Sequence, residues 1–140
     1  MAKEKITDIL VAKLLEEAGI KYEPQGSTIK EIVEALKHAS KRDTGKPGFP
    51  DFTAQVGDFI IVIEDKADTD KQAKYMNDKK DTLLMDKNSI EQYAENGALH
   101  YALKVIEHSS FKKVIAFGCS GTERERLIIR PIYVSPTGYK

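Results

Sequence analysis

The chain has a single cysteine, Cys119, and no tryptophan. One cysteine excludes an internal disulfide and any zinc site built on several cysteines. No apolar run approaches the length of a membrane span, so no membrane partner is expected. The first residues, MAKEKITDIL, carry neither an apolar leader nor a small-residue cleavage site, and a cytoplasmic protein is expected. Net charge is also missing, because 22 Lys and Arg balance 22 Asp and Glu. That balance excludes a protein that holds nucleic acid by bulk charge alone, although a local basic rim stays compatible with it. Three groups are close in sequence: Lys37, Lys41, Arg42 and Lys46; Lys71, Lys74, Lys79 and Lys80; Arg124, Arg126 and Arg130. Each taken alone reads as a solvated face. Repeats, low-complexity segments and an internal linker are absent, so residues 1–140 read as one domain with one core.

What is present is a clear alternation of element signals. Ile6, Ile9, Leu10, Leu14 and Ala18 predict a helix over 6–18 with Gly19 as its stop. A second helix is expected over 28–38, with Thr28 and Glu31 at capping-box spacing and Ile29, Ile32, Val33 and Leu36 facing the core. Residues 22–27 and 40–50 read as loops. DFTAQ and FIIVIE flank Val56, Gly57 and Asp58, a hairpin signal within 50–66. The charge-dense stretch 65–89 reads as a long, partly helical connection. A third helix over 90–107 and strands over 112–118 and 126–134 complete the chain, with Pro131 assigning the last strand to an edge or a bulge. This order predicts an α/β domain with a mixed central β-sheet flanked by helices.

The apolar run Phe59–Ile63 leads directly into Glu64, Asp65 and Lys66. Charge at a core edge costs free energy unless it is paired or binds something. If Gly57 and Asp58 form a two-residue turn, Asp51 falls opposite Glu64, and directly opposed residues share a face. Lys66, two residues on, returns to that face, and Asp65 points the other way. The strand is apolar on both faces, Ile60 and Val62 on one and Phe59, Ile61 and Ile63 on the other, as expected of a central strand. Two carboxylates so placed resist joint ionisation, and a hard divalent cation removes the conflict. A neighbouring ammonium completes a set suited to phosphodiester hydrolysis. The plain alternative is a surface ion-pair cluster at a sheet edge. A Schiff-base role for Lys66 fits the paired carboxylates less well. FGCSG, 117–121, lacks the full spacing of a nucleophile turn or a phosphate loop, so Cys119 reads as a buried turn residue.

Pro50-Asp51, followed by Glu64-Asp65-Lys66 after FIIVI, resembles the PD-(D/E)xK nuclease motif. GFPDF and IVIEDKAD resemble in particular the N-terminal endonuclease domain of type I restriction subunits and of single-chain restriction–modification enzymes. YAENGALHYA, 93–102, is similar to a helix that follows the motif in that group. The resemblance covers residues 45–120 and implies a restriction-endonuclease-like core. It implies Asp51 and Glu64 as metal ligands, the main-chain carbonyl of Asp65 as a further ligand, and Lys66 as the catalytic lysine. Mg2+ is the implied cofactor, with Mn2+ able to substitute. Relatives also supply an acidic residue from an early helix, and Glu17 or Glu34 would fill that place. Their Gln-x-x-x-Tyr helix motif is altered here, since Gln92 is followed by Asn96; Gln92, Asn96 and His100 nevertheless fall on one helical stripe.

The resulting expectation is a Mg2+-dependent DNA endonuclease domain within a larger restriction enzyme, leaving 5′-phosphates on double-stranded DNA. Methyltransferase, specificity or motor domains would act in cis or in trans, and two copies would dimerise on DNA to cut both strands. Two readings compete with it. One is a catalytically silent nuclease-fold module that binds DNA or assembles with other parts. The other is an interaction domain with a surface ion cluster.

Overall fold

A computed structural model describes residues 2–41 and 46–140; Arg42 and part of the expected 40–50 loop lie outside the described residues. The elements are α1 (Ala2–Glu17), β1 (Tyr22–Pro24), α2 (Lys30–Leu36), β2 (Phe52–Val56), β3 (Phe59–Lys66), β4 (Tyr75–Met76), β5 (Lys79–Leu83), α3 (Lys87–Gln92), α4 (Ala94–His108), β6 (Val114–Ser120), β7 (Ile128–Ser135) and β8 (Gly138–Tyr139). One mixed sheet runs in the order β1-β2-β3-β6-β7-β8, and β4 with β5 forms a separate two-stranded ribbon. Within the large sheet β3 and β6 are parallel and the other neighbours antiparallel. The α/β class with a mixed sheet between helices is therefore present.

The central hairpin turns at Gly57, whose φ of 63° stands at the first central position of a two-residue loop. A type II′ turn requires that conformation there, and glycine adopts it at no steric cost. The turn fixes the register, with Val56 opposite Phe59 and Phe52 opposite Ile63. Ile60 and Val62 pack with Leu99, Ala102 and Val105 of α4 and with Ile32 and Leu36 of α2. Ile61 and Ile63 pack on the other face with Val11 and Leu15 of α1, Phe52, Ala54 and Cys119. β3 is thus covered on both sides, which is why its sequence is a continuous apolar run.

Several local expectations change. The buried face of α1 is Thr7, Val11 and Leu15, whereas Ile6 and Ile9 are 43% and 53% exposed and Ala18 is exposed. Apolar residues occur nearly all round this helix, so spacing alone cannot choose a face. The choice is made by the sheet and by the Thr7 hydroxyl, which donates to the Gly121 carbonyl at 2.5 Å. Part of the expected 22–27 loop is β1, an edge strand that pairs with β2 from Tyr22 to Pro24, where a proline costs no ladder bond. The capping box does not form: Ile29 caps α2, the Thr28 N–H donates to Glu23, and Glu31 instead accepts from Ser110. The expected third helix is two, because Tyr93 is extended (φ −120°, ψ 140°) between α3 and α4. The 65–89 connection carries the β4–β5 ribbon and one 3-10 turn, Thr69–Lys71. Cys119 is buried as expected, but within β6 rather than in a turn. Pro131 does lie on an open edge, since β8 pairs only with Val134 and Ser135. Among the described residues, no helix is long and apolar enough to cross a membrane.

Candidate functional site

Continuing the β2–β3 ladder by one position brings Asp51 to Glu64 at the C-terminal end of β3. The Asp51 N–H donates to Glu64 Oε1 at 3.2 Å, and Asp51 Oδ2 accepts from the Asp65 N–H at 2.8 Å. The two carboxylates therefore do not share a face as strand alternation predicts: only the main chain of Asp51 meets Glu64, because its side chain is drawn by the Asp65 N–H to the α1 side, beside Asp8 and Asp65. Gln25 secures it from β1's end. Its N–H donates to the Asp51 carbonyl at 2.9 Å, and its Nε2 donates to Asp51 Oδ1 at 3.4 Å. Gln25 has φ 55°, the only positive φ at a non-glycine among the described residues. Such a backbone costs about 1–3 kcal/mol and persists where surrounding contacts impose it. Burial, and then the charge of Glu64, push the Asp51 carboxyl up to about 8.

On the α4 side of β3, Glu64 is 4% exposed. Its Oε2 accepts from Lys41 Nζ in an ion pair whose side chains are both largely buried. Lys41 also lies over the Tyr101 ring, 5.2 Å from its centroid. Burial raises the Tyr101 hydroxyl above its ordinary value, and the Glu64 charge adds to that. Space for this pair comes from Gly97 in α4. A Cβ there would lie 3.1 Å from Lys41 Nζ, 3.3 Å from Glu64 Oε2 and 3.0 Å from the Ile90 carbonyl. His100, one turn along, bonds through Nε2 to the Ala39 carbonyl at 3.0 Å and so holds the segment that delivers Lys41. Burial lowers the His100 imidazole below its usual value.

Asp65 points to the α1 side and is completely buried. There it meets Asp8 of α1 and Asp51, and one ligand atom from each of the three lies within 4.8 Å of the others. Among the described residues, nothing donates a hydrogen bond to either carboxylate oxygen of Asp65 or to Asp8 Oδ1. Burial holds the Asp65 carboxyl well above the carboxylate range, and the neighbouring Asp8 and Asp51 raise it further. The same burial, with the charges of Asp65 and Asp51, pushes the Cys119 thiol up.

Of the other residues singled out by sequence, Lys66 is half-buried and donates from Nζ to the Glu91 carbonyl at 3.0 Å. Glu17 and Glu34 are occupied elsewhere. Glu17 is exposed and held by Arg124 at 2.7 and 3.0 Å, and Glu34 is exposed and paired with Lys37 at 2.6 Å. The early-helix acid that reaches the strand end is Asp8. Gln92 is not on one stripe with Asn96 and His100, because the chain breaks at Tyr93; its Nε2 donates to Glu91 Oε1 at 3.4 Å. Asn96 is a clamp for the segment around the β4–β5 ribbon. It accepts from the Lys74 N–H at 3.0 Å and donates to the Lys74 and Leu84 carbonyls at 2.9 and 2.7 Å.

Sequence reading missed Asp8, Lys41, Gln25 and Gly97. A signal for Asp8 exists: Glu4, Asp8, Val11 and Leu15 share a helical face whose first half is acidic and second half apolar. No local pattern marks Lys41 or Gln25, which arrive from distant segments.

The comparisons with known proteins bear on this geometry. No family model matches the chain, and no solved structure matches it. Along 100% of its length, over 144 aligned positions at 39% identity, it is similar to the type II restriction enzyme and methyltransferase RM.BcgI of Heyndrickxia coagulans. The alignment takes in 22% of that relative, so the chain spans about a fifth of the length of the protein it is similar to.

Proposed function

We propose that the chain is the nuclease domain of a restriction enzyme and hydrolyses phosphodiester bonds of double-stranded DNA, with Mg2+ held at Asp51 and Glu64. The observation that carries the reading is the hairpin register, which joins Asp51 and Glu64 through the 3.2 Å bond at the end of a rigid, doubly covered strand. Similarity along the whole chain to a restriction enzyme and methyltransferase supports it.

The residues fit a hard cation. Two carboxylates that burial has removed from water lie at one strand end, and Mg2+ takes one or two protein carboxylates while keeping waters and substrate oxygens. The Asp65 main-chain carbonyl would be the third protein ligand, and Mn2+ would substitute for Mg2+. When bound, the cation supplies Lewis-acid polarisation of a phosphoryl oxygen and orientation of a water. Asp51 enters with its carboxylate already fixed by the Asp65 N–H and by Gln25. Lys66 carries its charge two residues beyond Glu64, tethered to the Glu91 carbonyl by one bond among the described residues, and its ammonium has further donors for charge building on phosphorus. Lys41 is a counter-ion for Glu64, which a cation at Glu64 must displace or share. Methyltransferase and specificity functions belong to other domains in cis or in trans, and cutting both strands calls for two copies on DNA. Binding of the domain alone rests on Lys and Arg contacts to phosphates and weakens as salt rises.

One observation favours the second reading, a silent nuclease-fold module: Glu64 is neutralised by Lys41, and Lys66 is turned onto Glu91. Nicking of supercoiled plasmid at low salt in Mg2+ or Mn2+ separates the two, with wild type beside Lys66→Ala and Asp51→Asn. Cleavage by wild type alone is expected. Equal cleavage by all three would place the activity elsewhere, and none in any would favour the silent module.

A further inference from the structure

We propose that the sheet face beside α1, over β6 and β7, is the docking surface for one amphipathic helix supplied by the rest of a restriction–modification enzyme. The proposal rests on the restriction-enzyme reading, but not on the chemistry at Asp51 and Glu64.

β6 and β7 are sealed on one face only. Towards α4, Val114, Ala116, Ile132 and Val134 are at most 6% exposed. Strand alternation sends Ile115, Phe117, Ile129, Pro131 and Tyr133 to the other face, where α1 packs mainly over Phe52, Ala54, Ile61 and Ile63. Among the described residues, Ile115 and Phe117 stay partly open there, and Ile129 and Tyr133 are 42% and 41% exposed. Phe59 continues the patch, with its ring 6.1 Å from that of Tyr133. A sheet face that meets water alternates polar with apolar residues, whereas these strands are apolar on both sides, the composition of a sheet covered on both.

The space fits a helix. The open strip is two strands wide, about 10 Å at the usual spacing, and an α-helix is about 10 Å across. Between α1 and that strip lies an apolar cavity of about 130 Å3, lined by residues that include Leu14, Ile20, Ile63, Phe117, Cys119 and Ile129. Cavities on the order of 150 Å3 accept a benzene-sized group, so one leucine or phenylalanine of the docked helix fills it. A second copy of the chain fits less well, because a stable interface takes about 20–30 residues a side and this patch offers far fewer. α1 also stands beside the strip with Lys5, Lys13 and Glu16 exposed on its outward side, so an identical chain would bring charge onto the apolar floor. Strand addition is blocked as well. Tyr133 exchanges both main-chain bonds with Lys140, at 3.1 and 3.0 Å, and the next outward-facing position on that edge is Pro131, which has no N–H. Polypeptide joined beyond Lys140 would therefore leave the edge within reach of the patch. The relative extends well beyond the matched 22%, which leaves ample chain to supply such a helix.

The test is thiol labelling. Cys119 is buried, so the chain offers little background. Single Ile129→Cys and Tyr133→Cys variants are treated with a maleimide, beside Val33→Cys on α2, a 39% exposed position on the other side of the sheet. Each is labelled in the 140-residue chain and in a hybrid that carries this chain in place of the matching portion of RM.BcgI. Labelling at 129 and 133 should fall at least about tenfold in the hybrid, while Val33→Cys stays within about twofold. Equal labelling in the two proteins overturns the proposal. Protection already present in the chain alone and rising with its concentration would overturn it in favour of a second copy. Where the hybrid does not fold, overlapping peptides from the unmatched part of RM.BcgI replace it. One amphipathic peptide must then protect 129 and 133, and protection by none overturns the proposal. In the isolated chain, Ile129→Thr and Tyr133→Thr keep a strand-forming side chain and should shift Tm by no more than about 3 °C. A larger loss would make the face internal to this fold and overturn the proposal too. Protection without plasmid nicking would keep this surface and remove the nuclease reading, and nicking without protection would do the reverse.

Discussion

Replacing Lys41 by Met tests whether Glu64 depends on an internal counter-ion. The two side chains are 16% and 5% exposed, so the pair is mostly out of water. Without Lys41, the remaining hydrogen bond to Glu64 among the described residues is the Asp51 N–H at 3.2 Å. Removing one partner of a buried pair costs about 3–5 kcal/mol, because the remaining charge is left uncompensated. The lower end applies, since Lys41 keeps some contact with water and Met preserves the stem that packs near Tyr101. With an unfolding entropy of about 2.1 cal/mol/K per residue, 140 residues translate ~3 kcal/mol into a fall in Tm of roughly 10 °C. The chain has no tryptophan, so the melt is followed by circular dichroism or calorimetry. Adding Glu64→Gln should restore most of the loss, a coupling that a double-mutant cycle isolates. Mn2+ should raise the Tm of Lys41→Met more than that of wild type, because no ammonium then competes for Glu64. A Lys41→Met protein that melts within a degree or two of wild type, with no coupling to Glu64→Gln, would refute the reasoning.

Gly118→Ala should cost about 3 kcal/mol, because its Cβ would lie 2.6 Å from the Glu95 main-chain N and 2.7 Å from its Cα, and a helix cannot yield as a side-chain tip can; chemical denaturation measures it. Asn96→Ala should orphan the Lys74 N–H and the Leu84 carbonyl, while the Lys74 carbonyl keeps the Leu84 N–H at 2.9 Å, at about 1–3 kcal/mol, with hydrogen exchange rising first around the β4–β5 ribbon. Cation-free stability should fall as pH rises from about 4 towards 8, since folded Asp51 keeps its proton to about 8 while the unfolded chain releases it near the ordinary value. The slope from that group is about 1 kcal/mol per pH unit, and melts of Asp51→Asn across pH 5 to 8 should show a shallower fall.

The strand end was legible because its causes are local. A Gly-Asp turn sets the register of β2 on β3, and that register brings the Asp51 main chain to Glu64 across thirteen residues of sequence, while the Asp51 carboxylate leaves the expected shared face for the Asp65 N–H. Strand alternation likewise sent Asp65 to the face opposite Ile60 and Val62. What stayed hidden depends on tertiary choice. α1 offers apolar residues in nearly every direction, so only docking on Phe52, Ile61 and Ile63 decides that Thr7 and Asp8 turn inward. The break at Tyr93 leaves no trace in a continuous helical pattern, and it separates Gln92 from the helix of Asn96 and His100. Lys41 reads as one member of a basic loop until the fold lowers it onto Glu64. The capping box failed because Glu31 had a better partner, Ser110, 79 residues away.

The parallel pairing of β3 with β6 has a kinetic consequence. Residues 67–113 must cross over before Val114 to Ser120 can settle beside Ile60 to Lys66. The β2–β3 hairpin closes locally, on a scale of microseconds, whereas a non-local parallel pair carries a large loop-closure cost and forms later. The acids at the strand end are therefore gathered at two different times. Asp51 and Glu64 meet early, while the burial of Asp65 against Cys119 and the anchoring of Thr7 to Gly121 wait for β6. The refolding transition state should thus feel substitutions at Gly57 strongly and substitutions at Thr7 weakly.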